Sequence, residues 1–260
     1  SGNGGYYDPY YDDYYNDPYG KGDSKDSKGK KSQGKKKKKD ATSNKKEQSE
    51  EDRTLDQIID KMEEYLEAYD EKDVKKAEDV HKSASAKHIK LGAATTGSNI
   101  NTLATAIVGT CNKSLAHLEQ FEDDRNKALE ANLGNLATTF NNCQQLVGKL
   151  DLPQIKKLKE DPSYKEILKR SKQYVTTGES FIKGSKAIED ANMEFLKADL
   201  SDLTAQVASD ATVQNKAKLK EAEESIRKLE AENKNMIKGN KALYRKVQDF
   251  ADVFERSVRS

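Results

Sequence analysis

The 260-residue chain has no Trp, two Cys, three Met and four Pro, and no apolar run long enough to cross a membrane as a helix. Hydrophobic residues make up 34% of it and aromatic residues 7%, against 35% charged. So little apolar material excludes a large enzyme-like core and places the chain among coiled coils and partly disordered proteins. Two cysteines exclude a disulfide-dense scaffold, and they stand at no metal-ligand spacing. The net charge is also small, +1. That value averages unlike parts: residues 1–20 carry −4, residues 21–46 carry +9 and the remainder carries −4.

The first fifty residues read as a disordered, low-complexity tail. Residues 6–19, YYDPYYDDYYNDPY, repeat Tyr pairs every four positions. The pairs are Tyr6 and Tyr7, Tyr10 and Tyr11, and Tyr14 and Tyr15, with Tyr19 closing the run. Pro9 and Pro18 stop helix formation, and no aliphatic residue is present to build a core. Tyrosines without a core to fill are expected to contact a partner, since Tyr offers a large amphipathic area for few rotors. Tyr flanked by Asp is also the acidic context that sulfation favours in a secreted protein, so all seven are candidate partner-binding or sulfation sites. A structural reading stands beside this one, in which Tyr repeats crosslink or stack as in silks, cuticles and glues.

Residues 20–46 are rich in Gly, Ser and Lys and form an expanded linker. Lys35, Lys36, Lys37, Lys38 and Lys39 make a block of like charge that attracts polyanions by counterion release. Heparan-type glycans and polyphosphate are the candidate ligands, with nucleic acid and anionic lipid sharing the same charge preference. Lys21, Gly22 and Asp23 form a tripeptide similar to the integrin-recognition loop of disintegrin-like platelet inhibitors: a cation and a carboxylate are held apart by a pliable Gly.

Residues 51–260 switch to the helical period and predict an all-α bundle of long amphipathic, coiled-coil-like helices. Leu55, Ile58, Ile59, Met62, Leu66 and Tyr69 mark a first face, continuing through Val74, Ala77, Val80 and Ala84. Thr95–Ser98, with Gly97, are expected to break and cap the helix. A second stretch spans residues 98–150. Pro153 and Pro162, each preceded within two residues by an Asp, start helices at 153–160 and 162–176, because Pro at the first turn needs no N–H partner. Gly178 is expected to separate off a further helix. Residues 219–254 carry a heptad seam with Ile226, Asn233, Asn240, Val247 and Phe254 at a, and Leu229, Met236, Leu243 and Phe250 at d. Packing against the chain's own helices is the expected use of that seam, and self-association the alternative.

Cys111 and Cys143 are expected to pair, since the chain starts at Ser1 in the manner of a mature secreted product. A single straight helix over residues 98–150 would hold them about 48 Å apart, far beyond the roughly 7 Å that a disulfide allows. The pairing therefore predicts an antiparallel hairpin turning near Asp123–Lys127. A long unbroken helix with free thiols is the rival. His81, His88 and His117 lie in Lys- and Glu-rich stretches and are expected to be exposed on helices. No catalytic, cofactor-binding or metal-ligating residues are assigned, and no enzyme is expected.

The Tyr/Asp-rich start, the linker KGDSKDSKGKKSQGKKKKK and the helical, disulfide-poor body resemble the silk-related salivary proteins of sand flies. In joining a low-complexity arm to a helical domain the chain is also loosely similar to the mosquito salivary collagen-binding proteins. The resemblance implies a protein that interferes with host haemostasis or immune cells; the expected location is secreted and extracellular, and the lack of a long apolar run predicts no membrane insertion.

Overall fold

The computed structural model describes residues 47–68, 72–93 and 99–259, with the backbone alone at 88–93 and 131. Several sequence expectations fall elsewhere. The seven tail tyrosines, Tyr6, Tyr7, Tyr10, Tyr11, Tyr14, Tyr15 and Tyr19, lie outside the described residues. So do Lys21, Gly22 and Asp23, and the block Lys35, Lys36, Lys37, Lys38 and Lys39. Tyr69 and Thr95–Ser98 lie outside them as well.

Six helices and no strand are present among the described residues. Helix α1 (Glu50–Ala68) opens with Glu50, Glu51 and Asp52, whose charge complements the partial positive charge of a helix N-terminus. Helix α2 covers Lys72–Ala93 and helix α3 covers Ile100–Val147. Asn99 caps α3 by accepting a hydrogen bond from the Thr102 backbone N–H at 2.9 Å. Helices α4 (Leu152–Glu160) and α5 (Pro162–Ser209) start where the two Asp/Pro signals predict. Asp151 accepts from the Gln154 N–H at 3.2 Å, and Asp161 accepts from the Ser163 N–H at 2.8 Å. Thr212 caps α6 (Val213–Ser257) through the Asn215 N–H at 3.1 Å. Each cap satisfies a donor that the first helical turn leaves without a partner.

These helices make four columns, with α1 and α2 end to end in one and α3, α5 and α6 forming the others. Pairings fix the directions. Along the first column, Leu66 meets Arg170, His81 meets Ser185 and Ser85 meets Glu189, always 104 residues apart. The column is therefore parallel to α5, and its register is unchanged from α1 to α2. Ile58 meets Cys143 and His81 meets His117, so the same column is antiparallel to α3. Lys172 pairs with Glu255 and Lys197 with Glu230, which makes α5 and α6 an antiparallel hairpin. Arg125–Asn240 and Phe140–Phe254 show that α3 and α6 are parallel neighbours.

The α1/α2 column and α6 each pack on both α3 and α5, whereas α3 and α5 meet less extensively across the diagonal. Short α4 packs on α1 and α5 and carries the chain across that diagonal. Residues Ser49–Ser260 form one compact unit.

Three expectations are corrected. Helix α3 is unbroken for 48 residues, so no hairpin forms at Asp123–Lys127. That stretch contains neither Gly nor Pro, and its Arg125 is buried against α6. Cys111 and Cys143 are accordingly free and separately buried, with no disulfide. Second, Gly178 lies within the 48-residue α5 rather than at its end. Third, the α6 seam keeps Ile226, Leu229, Asn233, Met236, Asn240, Val247 and Phe254 buried but turns Leu243 and Phe250 partly outward, burying Tyr244 and Ala251 instead. A straight helix drifts about 20° per heptad against a strict seven-residue repeat, and five heptads suffice to bring the next position inward. In the described residues the seam packs on α3 and α5.

Candidate functional site

The two ends of the bundle are packed mainly with apolar side chains, with Thr54 and Gln154 buried at one and Asp199 at the other. Ile58, Met62, Phe140, Leu158, Ile167 and Phe254 occupy one end; Leu103, Ile107, Leu196, Leu203, Ala222 and Ile226 occupy the other. Its middle is different. Val74, Ala77, Glu78, His81, Ala84 and Ser85 share the inward face of α2, so three polar groups enter the core at helical spacing. From α3 come Ser114, His117 and Arg125; from α5, Ser171, Ser185, Glu189 and Asn192; from α6, Asn233, Asn240 and Tyr244. Burying so many polar groups costs heavily unless they hydrogen-bond to one another.

Most of them do, in two clusters separated by Phe121 and Phe181, whose ring centroids lie 5.6 Å apart. In the first cluster, His81 Nδ1 is 2.7 Å from His117 Nε2, and His81 Nε2 is 2.8 Å from Ser185 Oγ. Ser85 donates to Glu189 Oε1 at 2.8 Å, and the Asn192 amide donates to the Ser85 carbonyl at 2.9 Å. Glu189 Oε1 stands 3.7 Å from His81 Nε2. Burial pushes the Glu189 carboxyl above its ordinary value, with the Ser85 hydroxyl opposing.

In the second cluster the Tyr244 hydroxyl donates to Glu78 across the bundle diagonal, and Arg125 donates to the Asn240 side-chain oxygen. The Arg125 guanidinium also lies 5.4 Å from the Phe121 ring centre. Its Nε is buried without a hydrogen-bond partner. Burial raises the Glu78 carboxyl to about 7, and the Tyr244 hydroxyl and Lys82 pull the other way. Tyr244 is itself raised, by burial first and the Glu78 charge second. This cluster reaches the surface through a cleft of about 200 Å³ lined by Lys72, Lys75, Glu78, Tyr174, Thr177 and Tyr244.

His81 is 0% exposed and His117 2%, which corrects the expectation that both are surface histidines. The side chain of His88 lies outside the described residues. The signal was present in the sequence: His81 continues the Val74–Ala77 stripe, and His117 sits beside Leu118 and one turn from Phe121 in the α3 stripe. Lys and Glu neighbours on the opposite helix faces conceal that position.

A serine hydrogen-bonded to a histidine beside a carboxylate has the membership of a nucleophilic triad, but the geometry differs. In such a triad the carboxylate holds the ring nitrogen away from the serine. Here that nitrogen faces His117, Glu189 lies on the serine side, and Ser185 is 1% exposed. Among the described residues no three His, Cys, Asp or Glu side chains converge as a metal site.

Cys111 and Cys143 lie on separate turns of α3, and burial raises both thiols to about 12. Among the described residues no helix is long and apolar enough to cross a membrane. No protein-family model, curated protein or solved structure matches the chain.

Proposed function

We propose that the chain is a secreted, non-enzymatic binding protein that interferes with host haemostasis or immune response. In this reading the N-terminal arm engages host proteins or polyanions, such as heparan-type glycans or polyphosphate, and the helical body presents it. The observation that carries the proposal is the division of charge within residues 1–46, −4 followed by +9, in a segment with seven of the twelve tyrosines. Such a segment has rings and both signs of charge to offer a partner, and no aliphatic residues to bury in its first twenty positions. The enclosure of the Ser185–His81 pair argues against that serine as a nucleophile, because a substrate has no path to a side chain sealed between helices. Self-association through residues 219–254 would compete with the packing of α6 on α3 and α5.

Recovery of partners from plasma tests the proposal, with full-length protein and residues 47–260 compared side by side. Partners retained by the full chain and absent from the truncated form are expected; equal recovery by both removes the arm from the account. The four-residue repeat of Tyr pairs favours one second reading, a structural or adhesive protein with crosslinked tyrosines. Mass spectrometry of native protein separates the two: sulfotyrosine belongs to the first reading, dityrosine or dopa to the second.

A further inference from the structure

Two imidazoles with no access to water meet at 2.7 Å in the middle of the bundle, each from a different helix. A hydrogen bond between Nδ1 of one and Nε2 of the other needs one N–H and one lone pair. Only one of the two facing nitrogens can therefore carry a proton while the bond exists. The other nitrogen of His81 is also engaged, at 2.8 Å from the Ser185 hydroxyl, which can donate or accept. With both rings neutral, both of these bonds are satisfied in either tautomer of His81.

We propose that the His81–His117 pair is an acid-operated latch that holds α2 against α3 and α5 at neutral pH and releases it when both rings are protonated.

One added proton is accommodated. A protonated His81 donates to His117 Nε2 and to Ser185, and Glu189 Oε1 stands 3.7 Å away as counter-charge. A second proton places N–H against N–H at 2.7 Å and sets two like charges in parallel rings whose centres are 4.9 Å apart. The bond between α2 and α3 is then lost and repulsion takes its place. The unfolded chain meets no such limit, since free imidazoles both take up protons as pH falls below about 6.5. Acid therefore favours states in which the two rings are apart.

Charged and titratable groups lie near the pair in the core on each packed element, some of them beyond the Phe121 and Phe181 rings. Helix α2 contributes Glu78 one turn before His81, and Lys82, whose Nζ lies 5.4 Å from the Phe181 ring centre. Helix α3 contributes Arg125, and α5 contributes Glu189. Helix α6 contributes Tyr244 with the uncharged Asn233 and Asn240. Arg125 adds like charge to a protonated pair. Glu189 opposes it only while ionised, and burial raises that carboxyl, so acid weakens the counter-charge as the histidines need it. Protonation of Glu78 removes a second negative charge in the same direction.

The test compares urea unfolding of the full chain and His117→Gln between pH 7.5 and 5.0. Gln keeps a hydrogen-bonding group toward His81 but takes up no proton. Below about pH 6 the ratio of the wild-type to the variant folding constant is expected to fall roughly tenfold per pH unit, one proton's worth of linkage. A ratio constant with pH means an ordinary packing pair and overturns the proposal. Should His117→Gln fail to fold, the imidazole nitrogen chemical shifts of the wild type decide. One ring neutral at about pH 5.5 in the native spectrum, with faster amide exchange across α2 as the second ring titrates, is the expected outcome, since a free imidazole is mostly protonated there. Two fully protonated rings with unchanged α2 protection overturn it.

Discussion

Tyr244 occupies the space that a β-carbon on residue 178 would need, and such an atom would overlap its ring. The aromatic ring can reach Glu78 across the diagonal because α5 presents a bare backbone at Gly178. Gly178→Ala should force the ring and its hydroxyl away from Glu78 and lower stability by about 1–3 kcal/mol, the usual cost of overpacking. The opposite outcome is expected at Gly134. It is helical and exposed, and a β-carbon there would touch nothing within 4 Å. Gly134→Ala should stabilise by about 0.5–1 kcal/mol, because Ala surrenders less backbone entropy on entering a helix. Chemical denaturation of both variants checks the pair of signs. The cysteines give a third residue-scale expectation. Both thiols are buried and raised to about 12, so a thiol reagent at pH 8 should label neither in the native protein and both after unfolding. Labelling of neither in the unfolded chain would reveal a disulfide.

Among the elements, helix starts were the most legible in the sequence. Asp151 and Asp161 each pair a capping carboxylate with a nearby Pro, and both mark the observed boundaries. Helix continuity was harder to read. Gly178 looks like a separator in sequence, and only the approaching Tyr244 ring shows why a glycine stands inside α5. Expecting a disulfide bent α3 in two, although Asp123–Lys127 consist of residues that tolerate a helix interior. At 48 residues α3 spans about 72 Å, and the two cysteines lie far apart along it. Spin labels at exposed Asn112 and Gln144, on α3 near each cysteine, should report a separation near about 48 Å at roughly 1.5 Å per residue. A hairpin would bring them within about 20 Å, since packed helices lie roughly 8–10 Å apart. The polar clusters were the least legible feature. A histidine or glutamate at an apolar-stripe position reads as solvated in a chain this rich in charge, and its partner lies on a helix 36 to 166 residues away.

At the scale of the whole molecule, the body combines mainly apolar ends with a polar middle whose stability depends on pH in two opposed ways. Glu78 has an ordinary carboxyl value of 4.5 and is held at about 7 in the fold. Its folded value is raised, so the stability it contributes is full below pH 4.5 and is lost as pH rises through about 7. The loss is about 3 kcal/mol. Glu78→Gln should remove that decline, leaving a urea midpoint that holds level between about pH 6.5 and 8, where the wild type's falls. The histidine pair acts with the reverse sign and below about pH 6.5, so the wild-type curve is expected to be a shallow dome.

The arm, by contrast, concentrates charge that the bundle does not. Its function is the central claim, and affinity for a sulfated polyanion measured against salt tests it most directly. Full-length protein should bind immobilised heparin with an affinity that falls steeply from about 50 to 200 mM salt, since each phosphate- or sulfate-like contact releases a counterion. Residues 47–260 should keep their helicity and lose that binding. Equal binding by the truncated body, or an affinity indifferent to salt, would contradict the account.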